Sequence, residues 1–242
     1  LTNIMKIHLI SANLGGIDNP HFFSKINNTD DIKCYYYTDV AFESDINVRL
    51  SKLCKNLPNR LQAKYYKFQI HNIKEHQDTE YYVWIDSAFL ITDFNKLINF
   101  LITRIKDNDI LLFKHHCRTN IFEEANFVLD QIKNKGQHYN YLSTRYNYDI
   151  IKTQIDSYKE EDPEIKGLYE LGLFMRKNTP IVNKIFDDTW TEIIKFSTQD
   201  QLPLPAMLNR YKNQVKVQEI NEINIYSGAG YGFVYQGHRK LK

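Results

Sequence analysis

The chain has 242 residues, of which 43% are hydrophobic and 25% are charged, so it can bury a sizeable core. Its 31 Lys and Arg residues nearly balance its 29 Asp and Glu residues, and a net charge of +2 gives none of the overall basic character that would indicate a nucleic-acid-binding protein. The sequence contains no apolar run long enough to span a membrane and no signal peptide, and its three cysteines have no metal-binding spacing. These features predict a cytoplasmic protein and leave a membrane-peripheral role open.

Apolar runs that resemble buried strands alternate with amphipathic segments along the chain. The predicted strands are 5–11, 32–38, 81–85, 109–114, 167–176 and 214–220, and the predicted helices are 61–70, 92–101, 121–132, 150–158, 180–196 and 198–208. This alternation is typical of an α/β fold with a mostly parallel central sheet flanked by helices. No repeat or low-complexity linker divides the sequence, so we predict a single domain over 1–242, with a Tyr-rich excursion at about 135–165 and a glycine-aromatic tail at 226–242.

Residues 81–89 are the most informative stretch, because a wholly apolar strand leads directly to Asp86. Ligands of open α/β sheets bind outside the carboxyl ends of the strands, where this carboxylate is expected. Asp39 follows strand 32–38 in the same way, and Asn13 opens a loop after the first strand. An alternative is that Asp86 only caps the next helix.

Three cations are spaced to share one face of the predicted helix that precedes this strand. Arg60, Lys64 and Lys67 stand at positions i, i+4 and i+7. They could form a solvated helix face or could meet a phosphate group, for which Lys and Arg are well suited.

The other candidate residues follow later strands. His115 and His116 are adjacent, and side chains of adjacent strand residues point to opposite faces, so we do not expect them to share a metal ion. Glu170 lies inside an apolar run, where a carboxylate needs a partner or a catalytic task.

Taken in order, these segments resemble a known family. The segments are Trp84-Ile85-Asp86, His115-x-x-Arg118 followed by Glu124-Ala125, and Glu170 followed by Asp200-Gln201. They are similar to motifs of the glycosyltransferase-like family of plant seed-mucilage proteins and bacterial and viral polysaccharide-cluster proteins, over about residues 55–210. The resemblance implies a GT-A-like, Rossmann-like domain that moves a sugar from a nucleotide-sugar donor to a glycan or polysaccharide acceptor.

The resemblance and the chemistry of glycosyl transfer together suggest roles for individual residues. We expect the donor to be bound by Asn13, Asp39, Arg60, Lys64, Asp86, Ser87 and Ala88. We expect the acceptor or its sugar to be bound by His115, Arg118, Glu124 and Gln201. If the reaction inverts the configuration of the sugar, a carboxylate must take the proton of the acceptor hydroxyl, and Asp200 and Glu170 are the catalytic candidates.

A divalent cation, Mn²⁺ or Mg²⁺, is a possible cofactor, with Asp86 and His238 as its candidate ligands. Enzymes of this architecture often hold the cation with Asp-x-Asp, but here the sequence is Asp86-Ser87-Ala88, without the second acid. Lys and Arg side chains could meet the charge of the diphosphate instead.

Two other functions stay open from the sequence. One is a hydrolase that uses His115 or His116 with Glu123 or Asp86, and the other is a non-catalytic carbohydrate-binding domain that uses the Tyr-rich stretch 139–148. The sequence leaves the oligomeric state open.

Overall fold

The computed structural model describes residues 5–16, 18, 29–53 and 56–237. The strands are β1 (Ile7–Asn13), β2 (Ile32–Thr38), β3 (Asn47–Leu50), β4 (Tyr81–Ile85), β5 (Phe89–Ile91), β6 (Ile110–Lys114), β7 (Tyr169–Lys177), β8 (Val217–Ile220) and β9 (Phe233–Tyr235). The α-helices are α1 (Asn59–Phe68), α2 (Phe94–Ile105), α3 (Ile121–Lys133), α4 (Tyr139–Ser143), α5 (Tyr148–Glu161), α6 (Pro180–Lys195) and α7 (Pro203–Arg210). Short 3₁₀ helices cover Ile70–Asn72, Lys74–His76 and Ile225–Tyr231.

Seven strands form a central sheet in the order β3-β2-β1-β4-β7-β6-β8, and β5 pairs with β9 in a separate ribbon. The pairs β1/β2, β1/β4, β2/β3 and β6/β8 are parallel, whereas β7 runs antiparallel to β4 and β6. The predicted α/β fold with a mostly parallel sheet is confirmed. Because β7 is reversed, its first residues lie at the edge where β1, β4 and β6 end.

Both faces of the sheet are buried, which explains the continuous apolar run of β4. Tyr82 and Trp84 belong to one core with Phe68 of α1 and Phe186 of α6. The alternate β4 residues, Tyr81, Val83 and Ile85, belong to a second core with α2. A strand covered on both faces needs apolar side chains at every position, so only its end can carry Asp86.

The caps of two helices bear on the predicted site. Asp93 caps α2, because its side chain accepts a hydrogen bond from the Lys96 N–H at 3.0 Å, so the alternative that Asp86 caps this helix is wrong. The last predicted helix, 198–208, begins only at Pro203. Proline favours the first turn of a helix and cannot continue one from upstream, so Asp200 lies in a turn before α7.

In the described part of the chain, every helix is too short or too polar to cross a lipid bilayer.

Candidate functional site

A continuous cleft lies at the edge where β1, β4 and β6 end and β7 begins. We divide it into three adjoining cavities. The β1 cavity is lined by Asn13, Trp84 and Asp86, and the central cavity by Asp86, Glu170 and Asp200. The β6 cavity is lined by His116, Arg118 and Glu170. Shared lining residues join the central cavity to the other two.

Asp86 is held in place but remains open to the cleft. The indole N–H of Trp84 donates to its Oδ1 at 2.6 Å, and its backbone N–H donates to the Gly172 carbonyl at 2.8 Å. The side chain of Asp86 is 40% exposed. Strand β4 therefore presents one oriented carboxylate to a ligand.

Two lysines of α1 and Asp200 form a buried cluster beside Asp86, which we call the lysine–aspartate cluster. The Lys67 ammonium lies 2.9 Å from Asp200 Oδ2 and 3.7 Å from Asp86 Oδ1, and Lys64 forms a second ion pair with Asp200. Burial alone would raise the pKa of Asp200, but the two ammonium groups hold it well below its usual range. Burial lowers the pKa of Lys64 to about 8 despite the ion pair.

A chain of hydrogen bonds, the polar relay, runs along the floor of the cleft from Arg60 to Arg118. Arg60 donates to the Tyr146 hydroxyl, which donates to Gln199 Oε1. The amide of Gln199 donates to Glu124 Oε1 at 2.8 Å, and Glu124 Oε2 accepts from Arg118 Nε. Burial raises the pKa of Glu124, although Arg118 opposes this effect. The relay fixes side chains of the central and β6 cavities relative to one another.

Glu170 lies in the wall common to the central and β6 cavities. His116 Nδ1 lies 2.8 Å from its Oε1, and the Tyr226 hydroxyl donates to its Oε2 at 3.0 Å. The residue is only 4% exposed, so these partners compensate for the burial of the carboxylate. Burial raises the pKa of Tyr226, and the nearby Glu170 carboxylate raises it further.

The expectation that His115 and His116 point apart is wrong. Strand β6 ends at Lys114, so both histidines belong to the following loop, and their rings stack at 5.1 Å with an interplanar angle of 13°. Together with Glu170 they form a group whose potential ligand atoms lie within 4.8 Å of one another.

The chemistry of this histidine group does not suit a metal ion. The backbone N–H groups of Cys117 and Arg118 both donate to His115 Nδ1, at 3.1 Å, which places the ring proton on Nε2. That nitrogen faces Glu170 at 3.4 Å, and the Arg118 guanidinium lies 3.2 Å from it and would repel a cation. A histidine that binds metal normally donates through its second nitrogen, which His115 does not do.

Of the remaining residues predicted to bind the donor, some line the cleft and others do not. Ser87 and Asn13 line the β1 cavity, but the Asn13 amide donates to the Asp18 carbonyl at 2.7 Å and thereby holds its own loop. Ala88 lines the central cavity. Asp39 is not among the residues that line the three cavities, and its carboxylate accepts the Gly15 N–H at 2.9 Å. His238, the second predicted metal ligand, lies outside the described residues.

Of the aromatic rim of the cleft, the sequence singled out Tyr141, within the Tyr-rich stretch 139–148, but not Tyr226 or Tyr235. Tyr141, Tyr226 and Tyr235 are 50%, 40% and 38% exposed, and all three line the central and β6 cavities. Arg145 stacks on Tyr141 at 3.7 Å and joins the cations of the central cavity. The high tyrosine content of the excursion was the signal available in the sequence for part of this rim.

Comparisons with known proteins give a family match and a shared fold. The model of the TOD1/MUCI70 glycosyltransferase-like domain matches residues 49–229. The apo structure of mouse xyloside xylosyltransferase 1 superposes with a TM-score of 0.50 at 6% identity, covering 98% of this chain and 99% of that chain. A glycosyltransferase involved in glycosylation of the major capsid of PBCV-1 gives a TM-score of 0.48 at 9% identity, covering 97% of this chain and 96% of that chain. No curated protein matches this sequence.

Proposed function

This chain belongs to the TOD1/MUCI70 glycosyltransferase-like domain family, and on that premise we propose that it transfers a sugar from a nucleotide-sugar donor to a hydroxyl group of a glycan acceptor. One observation carries the proposal. The cleft joins a cationic end, which suits a diphosphate, to an end with a buried carboxylate and exposed tyrosines, which suits a sugar.

The chemistry of glycosyl transfer sets two requirements for the cleft. The acceptor oxygen bonds to the anomeric carbon while the bond from that carbon to the phosphate oxygen breaks, and the nucleoside diphosphate leaves with the electron pair. The transition state is oxocarbenium-like, so the site must stabilise the charge that develops on the leaving group. The proton of the acceptor hydroxyl must pass to a base.

The donor fits the β1 and central cavities. Lys64, Lys67 and Arg60 line both cavities and would face the phosphates, and Asp86 would orient the sugar or ribose hydroxyl groups beside them. Asn13 lines the far part of the β1 cavity, on the side where the nucleoside would lie.

Glu170 is a better candidate for the base than Asp200. Asp200 is buried against two ammonium groups that hold its pKa well below its usual range, so its affinity for a proton is low. Glu170 faces both the central and the β6 cavity, between the proposed donor and acceptor. We therefore assign proton acceptance to Glu170 and a positioning role to Asp200.

The acceptor fits the β6 cavity and its aromatic rim. Tyr141, Tyr226 and Tyr235 offer ring faces for a sugar together with hydroxyl groups for hydrogen bonds. Arg118 and Gln201 also line this cavity and could bind acceptor hydroxyl groups.

Nucleotide-sugar binding and turnover test the proposal. Thermal-shift measurements with UDP-, GDP- and CMP-sugars should identify a stabilising donor, and release of its nucleotide in the presence of oligosaccharides should report transfer. Glu170→Gln should keep donor stabilisation and lose roughly 10²–10⁴-fold in transfer rate, as expected for loss of a general base. Glu222→Gln is the matched control, because that carboxylate is 41% exposed in a surface ion pair with Arg104.

Other results would favour the rival functions. Full transfer activity in Glu170→Gln would refute the role of this carboxylate. Cleavage of a glycan without any nucleotide would favour the hydrolase, in which the His116–Glu170 pair would be the reactive group. Glycan binding that survives Glu170→Gln and Asp86→Asn, without turnover of any donor, would favour the binding domain.

A further inference from the structure

We propose that Lys64 and Lys67 neutralise the diphosphate of the donor in place of a divalent cation. Both lysines lie at the donor end of the cleft, so this assignment rests on the proposed function. Glycosyltransferases of this architecture often use two acids to hold Mg²⁺ or Mn²⁺ on the phosphates, and such hard cations require several oxygen ligands.

The carboxylates at the donor end are poorly placed to hold such a cation. Asp86 Oδ1 already accepts the Trp84 indole N–H at 2.6 Å, and Ala88 stands where a second acid would be needed. Asp200 Oδ2 faces both lysine ammonium groups. Asp86 is therefore left with one oxygen for a ligand, and Asp18, the other acid of the β1 cavity, already accepts the Ser87 hydroxyl. This is a weak basis for a metal site.

A cationic group of the protein already lies beside Asp86. The Lys67 ammonium is 3.7 Å from Asp86 Oδ1, its side chain is only 5% exposed, and it lies 5.6 Å from the centre of the Trp84 ring. A divalent cation on Asp86 would meet repulsion from this fixed positive charge. A diphosphate in the same place would meet attraction.

The charged groups around the β1 cavity favour an anion such as a diphosphate. Its charged lining residues are the cations Arg60, Lys64, Lys67 and Arg145 and the anions Asp18 and Asp86. With Asp200, which pairs with Lys64 and Lys67, the four positive and three negative charges leave one positive charge in excess, and the donor diphosphate carries one negative charge on each phosphate. Because the lysines are largely buried, their attraction for the phosphates is only weakly screened by solvent.

Asp200 pre-organises Lys64 and Lys67 for binding the diphosphate. It holds both ammonium groups at one point, so little ordering of their flexible side chains remains when a phosphate binds. In this arrangement Asp200 acts through the lysines and does not touch the donor.

Calorimetric titration of the whole protein with inorganic diphosphate, UDP and GDP tests the assignment. Each titration is done once in EDTA and once in Mn²⁺, after removal of bound metal. At least one nucleoside diphosphate should bind in EDTA with an affinity within about twofold of that in Mn²⁺. Lys67→Met and Lys64→Met should each weaken this binding roughly 10–100-fold, which corresponds to loss of a charge-assisted hydrogen bond.

Two further variants show whether the loss of binding comes from the loss of positive charge at the lysines. Lys67→Arg keeps the positive charge and should retain most of the binding, and circular dichroism checks that each variant is folded. Lys184→Met is the matched control, because Lys184 forms an ion pair with Asp188 on the exposed face of α6 and its side chain is 59% exposed. It should leave the affinity unchanged. Should Lys67→Met not fold, the wild-type titrations still decide whether a cation is needed, and Lys64→Met still tests the role of the lysines.

The possible outcomes separate this assignment from the proposed function. Binding of a nucleoside diphosphate in Mn²⁺ but not in EDTA would overturn the role of the lysines and leave the transferase intact. Equal binding by wild-type protein and both lysine-to-methionine variants would also overturn it. Absence of binding in both buffers would refute a UDP- or GDP-linked donor and, with it, the role of the lysines.

Discussion

Replacing Asp200 by Asn removes the carboxylate that lies between two buried ammonium groups. The side chains of Asp200, Lys64 and Lys67 are 8%, 13% and 5% exposed, so solvent cannot compensate for the lost charge. Removing one partner of a buried ion pair typically costs about 3–5 kcal/mol, and we expect Asp200→Asn to lose that much in the free energy of unfolding. For a chain of this size the melting temperature should fall by roughly 6–20 °C.

The free energy of unfolding that Asp200→Asn loses should become smaller as the pH rises. Without Asp200, the pKa values of both lysines fall in the folded state, and that of Lys64 is already lowered to about 8 in the native protein. A group with a lowered pKa binds fewer protons in the folded state than in the unfolded state, so its contribution to stability increases as pH rises towards the unfolded pKa of about 10.4. The deficit of Asp200→Asn should therefore shrink by at least about 1 kcal/mol between pH 7 and pH 9.

Urea unfolding followed by tryptophan fluorescence at pH 7 and pH 9 measures both effects. Asp156→Asn is the matched control, because Asp156 pairs with Lys152 on the surface and both side chains are more than half exposed. It should cost less than about 1 kcal/mol at either pH. A loss of less than about 1 kcal/mol in Asp200→Asn at pH 7, or a deficit that grows with pH, would refute this account of the cluster.

Two further substitutions test the frame around the cleft. Gly232→Ala should cost about 2–4 kcal/mol in urea unfolding, because Gly232 has φ +89° and an added Cβ would lie 2.2 Å from the Asp93 carbonyl oxygen. Gly230→Ala, whose Cβ would meet nothing within 4 Å, is its control, and equal losses would contradict the packing argument. Trp84→Phe removes the N–H that orients Asp86 and should weaken donor binding in titration roughly 10-fold, whereas Trp190→Phe should not change it. Undiminished binding by Trp84→Phe would show that this hydrogen bond does not matter for the donor.

The sequence predicted the framework of the site well, because the relevant signals are local. The apolar run of β4 identified a strand buried on both faces, and the chain direction then fixed which end carries Asp86. Helical spacing predicted that Arg60, Lys64 and Lys67 share a face, and all three line the cleft. The family resemblance drawn from short motifs is confirmed by the match over residues 49–229.

The contacts between residues of the site could not be predicted from such local signals. The sequence of β7 predicts a strand but not its direction, and only the antiparallel pairing with β4 and β6 brings Glu170 to the edge where Asp86 lies. Likewise, the end of β6 at Lys114 decides that His115 and His116 stack instead of pointing apart.

Sequence by itself therefore determined the α/β framework, the position of Asp86 at a strand end and the cationic face of α1. These features can be predicted because each depends only on the periodicity and direction of one helix or one strand. The tertiary structure decided that Asp200 forms ion pairs with both lysines and that Glu170 faces both the central and the β6 cavity. Such pairings join residues far apart in the chain, and they depend on how strands and helices pack, which no local pattern encodes.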